Sequence, residues 1–356
     1  MSGMNIEKCY TSREHLLKVF ERESRKLGLL AKNIDEYNKW KIIVRQKLIV
    51  LTGLNKMETC SLKPKLLGSE QFDKYRRDKF IIQTEPDVWM PVYILIPNGL
   101  KPNEKKPCII APHGHNSGGK YAVSGRYDIP KIKEKIEEYN YDYGVKFVEK
   151  GYIVLCPDAR GSGERIESYK PVDDEEILST TCIKLNNMAM CMGQTVTGMY
   201  IWDLMRLIDY IELRSDCDIN RIACCGLSGG GHQTLWLAAL DDRIRSTVVS
   251  GYFSGYKDTL LKSSCHCTCI YIPHLLEYVD IGDIGALIAP RPLLIESGNN
   301  DFLNGNRGIV NVIEQLEVTK LAYRLCNAEN HLCHYIFEGG HVWNGNKTYD
   351  FVNQWL

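Results

Sequence analysis

Residues 221–240, RIACCGLSGGGHQTLWLAAL, decide the fold. The stretch begins with a short apolar run at 222–225, whose length and composition are typical of a buried strand. The sequence GLSGG follows at 226–230, and good helix formers come next. A strand, a G-x-S-x-G sequence and a helix in this order predict a nucleophile elbow, a sharp turn that presents a serine at the end of a strand.

The elbow predicts a nucleophile and part of its anion-binding site. Gly226 and Gly230 leave room beside the serine and permit the dihedral angles of a sharp turn. Ser228 is therefore the predicted nucleophile. The backbone N–H of Gly229, at the start of the helix, is predicted to face the oxyanion that forms during attack.

Strands and helices alternate on either side of the elbow. Strands are predicted at 80–83, 92–96, 108–111, 152–156, 222–225, 247–250, 293–296 and 335–337, the first two as an antiparallel hairpin across 85–87. Helices are predicted at 131–150, 198–214, 306–319 and 345–356. Such alternation predicts an α/β fold, with a mostly parallel sheet of about eight strands and helices on both faces.

Two regions are predicted along the chain. Residues 1–75 are expected to form an N-terminal helical arm, with a capping box of Thr11 and Glu14 and a second helix over 33–51. The arm would pack on the main domain or contact another subunit of a homo-oligomer. Residues 76–356 are expected to form the catalytic domain, with inserts at about 162–197 and 252–288.

Two residues that follow later strands complete a hydrolytic constellation. Active groups of open α/β sheets gather on loops at the carboxyl ends of the strands. Asp301 follows the strand LLIES, and His341 follows HYIFE, so the chain order is Ser, Asp, His. This order is the one that an α/β-hydrolase requires. His341 would take the proton from Ser228, and Asp301 would orient the imidazole.

Other acidic and histidine side chains compete for these roles. The rival carboxylates are Asp280, Asp283 and Glu338, and the rival bases are His331 and His334. The two aspartates precede the LLIES strand, and both histidines fall before or within the last strand, which places all four at the wrong end of a strand. Glu338, only three residues from His341, stays an alternative acid.

The loop after the strand at 108–111 is expected to supply the second oxyanion donor. It reads PHGHNSGG at 112–119, and glycines let its backbone bend towards the site. The N–H of His115 is the predicted donor, with that of Gly114 as the alternative. His113, Tyr252 and Trp343 are predicted to line the substrate pocket.

Several motifs, in this order, resemble the α/β-hydrolase superfamily in its dienelactone hydrolase and acetyl xylan esterase-like branch, which is related to prolyl oligopeptidase catalytic domains. They are APHGHNSGGK, PDARGSGER, YIWDLMRLIDYI, GLSGGGHQTLWLAALDDRI, ALIAPRPLLIESGNND and GGH, within residues 79–343. The resemblance implies ester hydrolysis through an acyl-enzyme without a metal or other cofactor. Ser228, Asp301 and His341 match the triad positions of the family.

One stretch departs from the family pattern. Members commonly carry a D-P-x-F-P type sequence after the acid, whereas Asp301 is followed by FLNG at 302–305. The departure concerns the loop beside the acid. The predicted function is a serine carboxylesterase for short-chain acyl esters, including acetylated carbohydrates. The alternatives are a prolyl oligopeptidase-type peptidase, which would need a gating domain, and a non-catalytic hydrolase-fold binding module.

Composition limits the partners. With 356 residues, 44% of them hydrophobic and 25% charged, the chain is typical of a globular protein with a large core. Its formal net charge is zero, which argues against nucleic acid as a partner. No signal peptide and no membrane-spanning run are visible, so a cytoplasmic location, a small-molecule ester substrate and no membrane partner are expected.

Fourteen cysteines are many for such a chain. Cys265, Cys267 and Cys269, with His266 and His274 nearby, invite a zinc interpretation. Their C-x-C-x-C spacing, however, differs from the usual pair of cysteines with two to four residues between them. Buried reduced thiols are the favoured interpretation, and no metal is predicted. A looser group, Cys326, His331, Cys333 and His334, is interpreted in the same way.

Overall fold

Nine strands form one sheet in a computed structural model that describes residues 9–168, 173, 176–263 and 265–356. The strands are β1 (Lys65–Gln71), β2 (Tyr75–Glu85), β3 (Val88–Pro97), β4 (Lys106–Ile110), β5 (Ile153–Pro157), β6 (Cys217–Leu227), β7 (Ser246–Ser250), β8 (Leu293–Gly298) and β9 (Leu332–Phe337). Their spatial order is β1-β2-β3-β5-β4-β6-β7-β8-β9. The pairs β1/β2, β2/β3 and β3/β5 are antiparallel, and the five pairs from β5/β4 to β8/β9 are parallel. The predicted α/β-hydrolase fold is confirmed.

Helices cover both faces of this sheet. They are α1 (Arg13–Glu23), α2 (Ile34–Thr52), α3 (Lys120–Val123), α4 (Pro130–Tyr139), α5 (Tyr143–Val148), α6 (Cys182–Cys191), α7 (Val196–Glu212), α8 (Gly229–Leu240), α9 (Leu275–Tyr278), α10 (Ile281–Ala286), α11 (Ile309–Leu325) and α12 (Thr348–Trp355). Successive strand residues face opposite sides, so Cys108 and Ile110 join one apolar cluster and Ile109 joins the other. The first cluster includes residues of α2, α7, α8 and α11, and the second includes residues of α4, α5 and α12.

The sheet has one strand more than the sequence predicted. Residues 65–71, expected in the helical arm, form the edge strand β1, and all seven of them are exposed. An edge strand with no buried face lacks the alternation of apolar and polar residues that reveals a strand. The remaining strands lie where the sequence placed them, with their ends shifted by a few residues.

Two helix predictions also need correction. The helix expected over 131–150 is divided into α4 and α5, because Asn140 adopts a left-handed conformation with φ 55° and ends α4. The expected capping box is not formed: Ser12 precedes α1 without a side-chain capping bond, and Thr11 accepts only from the N–H of Arg13, at 3.1 Å.

The N-terminal helix α2 packs on the main domain. Val44 and Leu48 are fully buried in the apolar cluster that also contains Cys108 and Ile110 of β4. The Tyr37 hydroxyl donates to the carbonyls of Ala286 and Ala289 at 2.8 and 3.1 Å. Among the described residues, no helix has both the length and the apolar character needed to cross a membrane.

A buried ion-pair network fixes the loop after β5. The Asp203 carboxylate, on α7, accepts from Arg160 Nε and Nη2 at 3.0 and 2.9 Å and from Arg165 Nη1 at 2.6 Å. Arg160 Nη2 also donates to Glu85 at 2.6 Å. Burial alone would raise the pKa of Asp203, but the two guanidinium groups outweigh it and lower that pKa to about 2.

Asp203→Ala is expected to destabilise the protein by about 3–5 kcal/mol, because it leaves the buried Arg165 guanidinium without its carboxylate partner and the Arg160 guanidinium with Glu85 alone. Urea unfolding followed by tryptophan fluorescence measures the effect. Asp128→Ala is the matched control: the Asp128 side chain pairs with Arg126 but is 60% exposed, and exposed ion pairs contribute about 1 kcal/mol or less. An equal decrease in the free energy of unfolding for the two variants would show that the buried network is not stabilising the fold.

Candidate active site

Ser228 stands on a strained turn between β6 and α8. Its φ of 60° and ψ of −121° lie outside the regions that non-glycine residues usually adopt. The turn leaves no space for neighbouring side chains. A Cβ on Gly226 would lie 2.5 Å from the carbonyl carbon of Gly230, and one on Gly230 would lie 2.2 Å from the carbonyl oxygen of Pro112. These contacts explain why glycines flank the serine.

Asp301 and His341 form a close pair at the ends of β8 and β9. His341 Nδ1 lies 2.7 Å from Asp301 Oδ2, and both side chains are buried. The other oxygen, Oδ1, accepts from the backbone N–H of Leu303 at 2.9 Å, which caps a 3-10 turn over Phe302–Asn304. Because both carboxylate oxygens are engaged, the loop that departs from the family pattern still holds the acid in a fixed orientation.

Ser228 and His341 line one cavity. His341 Nε2 is buried and, among the described residues, has no hydrogen-bond partner. Among these residues, no hydrogen bond joins Ser228 to His341 Nε2. Since Nδ1 carries the bond to Asp301, Nε2 is the nitrogen left to accept a proton from within the cavity.

The rival residues have other surroundings. Asp280 and Asp283 form the capping box at the start of α10, and Asp283 also pairs with Arg25 at 2.8 Å. Glu338 is exposed. His331 lies in a 3-10 turn before β9, and His334 lies within β9 with Nε2 3.1 Å from the Ser297 hydroxyl. Asp301 is the one of these carboxylates that contacts His341 among the described residues.

The loop after β4 lies directly against the elbow. A Cβ on Gly114 would be 3.1 Å from Ser228 Cβ, and one on Gly229 would be 3.3 Å from Gly114 Cα. Within the described part of the chain, the N–H groups of Gly229 and His115 donate no hydrogen bond to the protein. Gly229 and His115, whose N–H groups are the predicted oxyanion donors, line one cavity with Ser228. Gly114, the alternative donor, lies against Ser228.

The cavity beside Ser228 has a volume of about 250 Å³. Its lining residues come from the elbow, the loop after β4, α4 and the following turn, the second insert, and the loops after β8 and β9. They are His115, Asn116, Tyr139, Tyr141, Ser228, Gly229, Tyr252, Cys265, His266, Cys267, Ile270, Phe302, Leu303 and His341. Tyr252 thus lies on the wall, as predicted.

Two predicted pocket residues lie elsewhere. His113 is buried behind the loop, where its Nε2 accepts from the N–H of Ala159 at 3.0 Å, and burial lowers its pKa. Trp343 is 1% exposed and stacks on Tyr143, with ring centroids 4.4 Å apart. Both side chains are packing residues. The prediction was wrong because a position on a loop near the site does not determine which way the side chain faces.

Aromatic and imidazole side chains that the sequence did not indicate surround His341. Tyr139 and Phe302 meet the His341 ring edge to face, with centroids 6.5 and 6.2 Å away. His266 lines the same cavity. Burial lowers the pKa of His266 to about 4, so its imidazole is neutral near pH 7. No sequence pattern marks these three residues, since their positions depend on how α4, the loop after β8 and the second insert pack together.

Sulfur ligands gather at the far wall of the cavity. Cys267 and Cys269 meet Cys182 and His115, and the four potential ligand atoms lie within 4.8 Å of one another. Of the other residues in the predicted cysteine segment, Cys265 instead contacts the carbonyl of Thr259, and His274 contacts Glu277. The set that converges is therefore different from the one considered in the sequence. The Cys326, His331, Cys333 and His334 group is not brought together as a ligand set among the described residues.

Comparisons with known proteins give consistent matches. The model of the Abhydrolase family matches residues 29–335. A protein of Bacillus subtilis (strain 168) named "Putative hydrolase YtaP" is 30% identical over 233 residues, which cover 64% of this chain and 70% of that protein.

Solved structures share the fold at low sequence identity. A "putative acetyl xylan esterase" from Bacteroides fragilis NCTC 9343 superposes with a TM-score of 0.74 at 18% identity, covering 93% of this chain and 83% of its own. A glucuronoyl esterase from Solibacter usitatus superposes with a TM-score of 0.61 at 13% identity, covering 97% of each chain.

Ser228→Gly is expected to unfold at a higher temperature than Ser228→Ala. Glycine adopts the dihedral angles of this turn without strain, whereas such a conformation costs a residue with a Cβ about 1–3 kcal/mol. Glycine's larger backbone entropy in the unfolded chain offsets part of the gain, about 0.4–1 kcal/mol. Both variants lack the hydroxyl, so the difference in thermal midpoint reports the backbone alone. A lower midpoint for the glycine variant would mean that the turn is not strained.

Proposed function

This chain belongs to the Abhydrolase family, and from that premise we propose that it is a serine carboxylesterase that cleaves short-chain acyl esters. The observation that carries the proposal is the His341–Asp301 pair, whose Nδ1 and Oδ2 atoms are 2.7 Å apart and whose histidine lines the same cavity as the elbow serine. Asp301 fixes the proton of the imidazole on Nδ1, so Nε2 serves as the base towards Ser228.

The proposed reaction has two halves. Ser228 Oγ attacks the ester carbonyl carbon while its proton passes to His341 Nε2. The tetrahedral intermediate collapses, the C–O bond to the alcohol breaks, and the alcohol leaves with the proton from His341. Water then attacks the acyl-enzyme by the same route, releasing the carboxylic acid and restoring the Ser228 hydroxyl.

The negative charge of each intermediate would be held by backbone donors. We assign this role to the N–H groups of Gly229 and His115. Removal of one such donor from a preorganised site costs about a hundred- to a thousandfold in rate. Gly229 also opens α8, whose N-terminus adds a favourable dipole.

The cavity favours a small acyl group. A volume of about 250 Å³ is below the range of about 300–1,000 Å³ of pockets that enclose drug-sized ligands. Tyr252 and Ile270 close the wall contributed by the second insert. An acetyl group fits such a space, and an octanoyl chain would need a longer channel.

The alcohol part of the substrate is proposed to be a carbohydrate. Phe302, which is 70% exposed, and the partly exposed Tyr139 line the cavity beside His341 and offer flat apolar faces to a sugar ring. The fold shared with acetyl xylan and glucuronoyl esterases of known structure supports this choice of substrate class.

Ser228→Ala is expected to lower kcat for p-nitrophenyl acetate by at least about 10⁴-fold, because the nucleophile is lost while the fold is kept. The wild type should hydrolyse acetate faster than butyrate, and butyrate faster than octanoate. A fluorophosphonate probe should label the wild type and the control Ser215→Ala, which changes an exposed serine, but not Ser228→Ala. Hydrolysis at the wild-type rate by Ser228→Ala would exclude the proposed mechanism.

Asp301→Asn is expected to lower kcat about a thousandfold or more, because an amide no longer holds the His341 proton on Nδ1. Glu338→Gln makes the same chemical change at the exposed rival and should leave kcat within about twofold. Steady-state kinetics on p-nitrophenyl acetate compare the two. A larger loss in Glu338→Gln than in Asp301→Asn would transfer the role of acid to Glu338.

A further inference from the structure

Three separate segments of the chain bring sulfur and imidazole groups to one point. His115 comes from the loop after β4, Cys182 from the start of α6 in the first insert, and Cys267 and Cys269 from the second insert. Cys182 and Cys269 are buried, and the other two are half-buried. We propose that these four residues bind a structural zinc ion.

The distances fit a tetrahedral site. His115 Nε2 lies 3.5 Å from Cys182 Sγ and 3.6 Å from Cys269 Sγ, and Cys182 Sγ lies 3.4 Å from Cys267 Sγ. Zinc bonds of about 2.3 Å to sulfur and about 2.0 Å to nitrogen place tetrahedral ligands about 3.8 Å apart for two sulfurs and about 3.5 Å apart for nitrogen and sulfur. These three distances lie within about 0.4 Å of the tetrahedral values, and all four ligand atoms lie within 4.8 Å of one another.

The donor set selects the metal. Three thiolates and one imidazole are a common structural zinc set, whereas calcium and magnesium take oxygen ligands. Four protein ligands fill the tetrahedron and leave no open position for substrate or water, so the ion is structural. The ester chemistry assigned to Ser228 needs no metal, and the zinc inference does not depend on it.

A simple cluster of reduced thiols explains the arrangement less well. Other buried cysteines, such as Cys156 and Cys225, lie in an apolar cluster. Among the hydrogen-bonding side chains of the described residues, Cys108 meets only a second thiol, that of Cys217. Here the sulfurs have one another and an imidazole as polar neighbours. A disulfide between Cys182 and Cys267 is the competing product. A disulfide needs its two sulfurs about 2.05 Å apart. The Sγ atoms of Cys182 and Cys267 are 3.4 Å apart, and all the cysteines are free.

The backbone around the ligands is held by other contacts. Asn186 on α6 donates to the carbonyls of Thr268 and Tyr271 at 2.7 and 3.3 Å, which ties the two inserts together. The Thr197 hydroxyl donates to the carbonyl of Cys269 at 3.1 Å. In metal sites, hydrogen bonds from surrounding residues orient the residues that bind the metal. They position the ligand-bearing backbone before any ion binds.

The zinc would also act on the oxyanion loop. Zinc on Nε2 leaves the proton of His115 on Nδ1. Nδ1 faces Gly229, since a Cβ placed on that glycine would lie 3.3 Å from it. The ion would thus fix the ring and the loop beside the predicted oxyanion donors. This consequence rests on the proposed esterase function, whereas the metal site itself does not.

Metal content of the full-length protein tests the site directly. Protein expressed with added zinc and purified under reducing conditions should carry about one zinc per chain by plasma mass spectrometry. The double variant C182S/C267S should carry less than about a tenth of that amount. Two matched controls should keep the full amount: Cys191→Ser at the exposed end of α6, and Cys265→Ser, two residues before Cys267. Wild-type protein that neither retains zinc nor takes it up from zinc-containing buffer would overturn the proposal.

Two further measurements cover a variant that fails to fold. Wild-type protein loaded with cobalt should show the visible absorption of a tetrahedral thiolate site, and chelator treatment of the zinc form should lower the thermal midpoint. Full zinc retention by C182S/C267S, or a Cys182–Cys267 disulfide in the protein as purified, would assign the cluster another role. Zinc content, cobalt absorption and the thermal midpoint are all measured without substrate turnover. Failure of the metal site can therefore be told apart from failure of the esterase proposal.

Discussion

The close approach of the elbow to the loop after β4 is the constraint on which the site depends. The carbonyl oxygen of Pro112 leaves no room for a side chain on Gly230. Every residue of α8 from Gly230 to Ala239 is buried. The helix therefore cannot move away from the loop without disturbing the close packing of the core around it. The unusual dihedral angles of Ser228 persist because the surrounding packing fixes both ends of the turn. The serine and the predicted oxyanion donors are therefore set by one packing arrangement.

A second backbone contact places the acid beside the base. A Cβ on Gly298 at the end of β8 would lie 2.3 Å from the carbonyl oxygen of Gly340. The N–H groups of Asn299 and Asn300 donate to the carbonyls of Phe337 and Gly339 at 3.0 and 2.9 Å. The parallel pairing of β8 and β9 thus continues into the two loops and holds Asp301 against His341. The strength of this link explains why the pair forms although the sequence after Asp301 departs from the family pattern.

The sequence predicted those parts of the structure that follow from local periodicity. The parallel strands are short apolar runs, and the positions of Ser228, Asp301 and His341 follow from the rule that active groups lie at strand ends. Edge strand β1 was missed because an exposed strand has no apolar period. The orientation of the Trp343 side chain was also predicted wrongly. Hydrophobicity predicts an apolar environment for a side chain but does not distinguish the core from a pocket. The sulfur cluster was out of reach for a different reason: Cys182 lies 67 residues from His115 and 85 from Cys267, and only the fold brings them together.

The division between strands and inserts has a consequence for specificity. The proposed nucleophile, acid and base stand on loops at the ends of β6, β8 and β9, whose positions the sheet fixes. Tyr252, His266 and Ile270 instead reach the cavity from the second insert. An insert has no sheet to hold it, so its wall must be fixed by contacts with other segments. The bonds of Asn186 and the cluster around Cys182 are such contacts, and they join both inserts to the loop that carries His115. The shape of the acyl pocket therefore depends on contacts between segments far apart in the chain, while the reacting groups depend on the sheet.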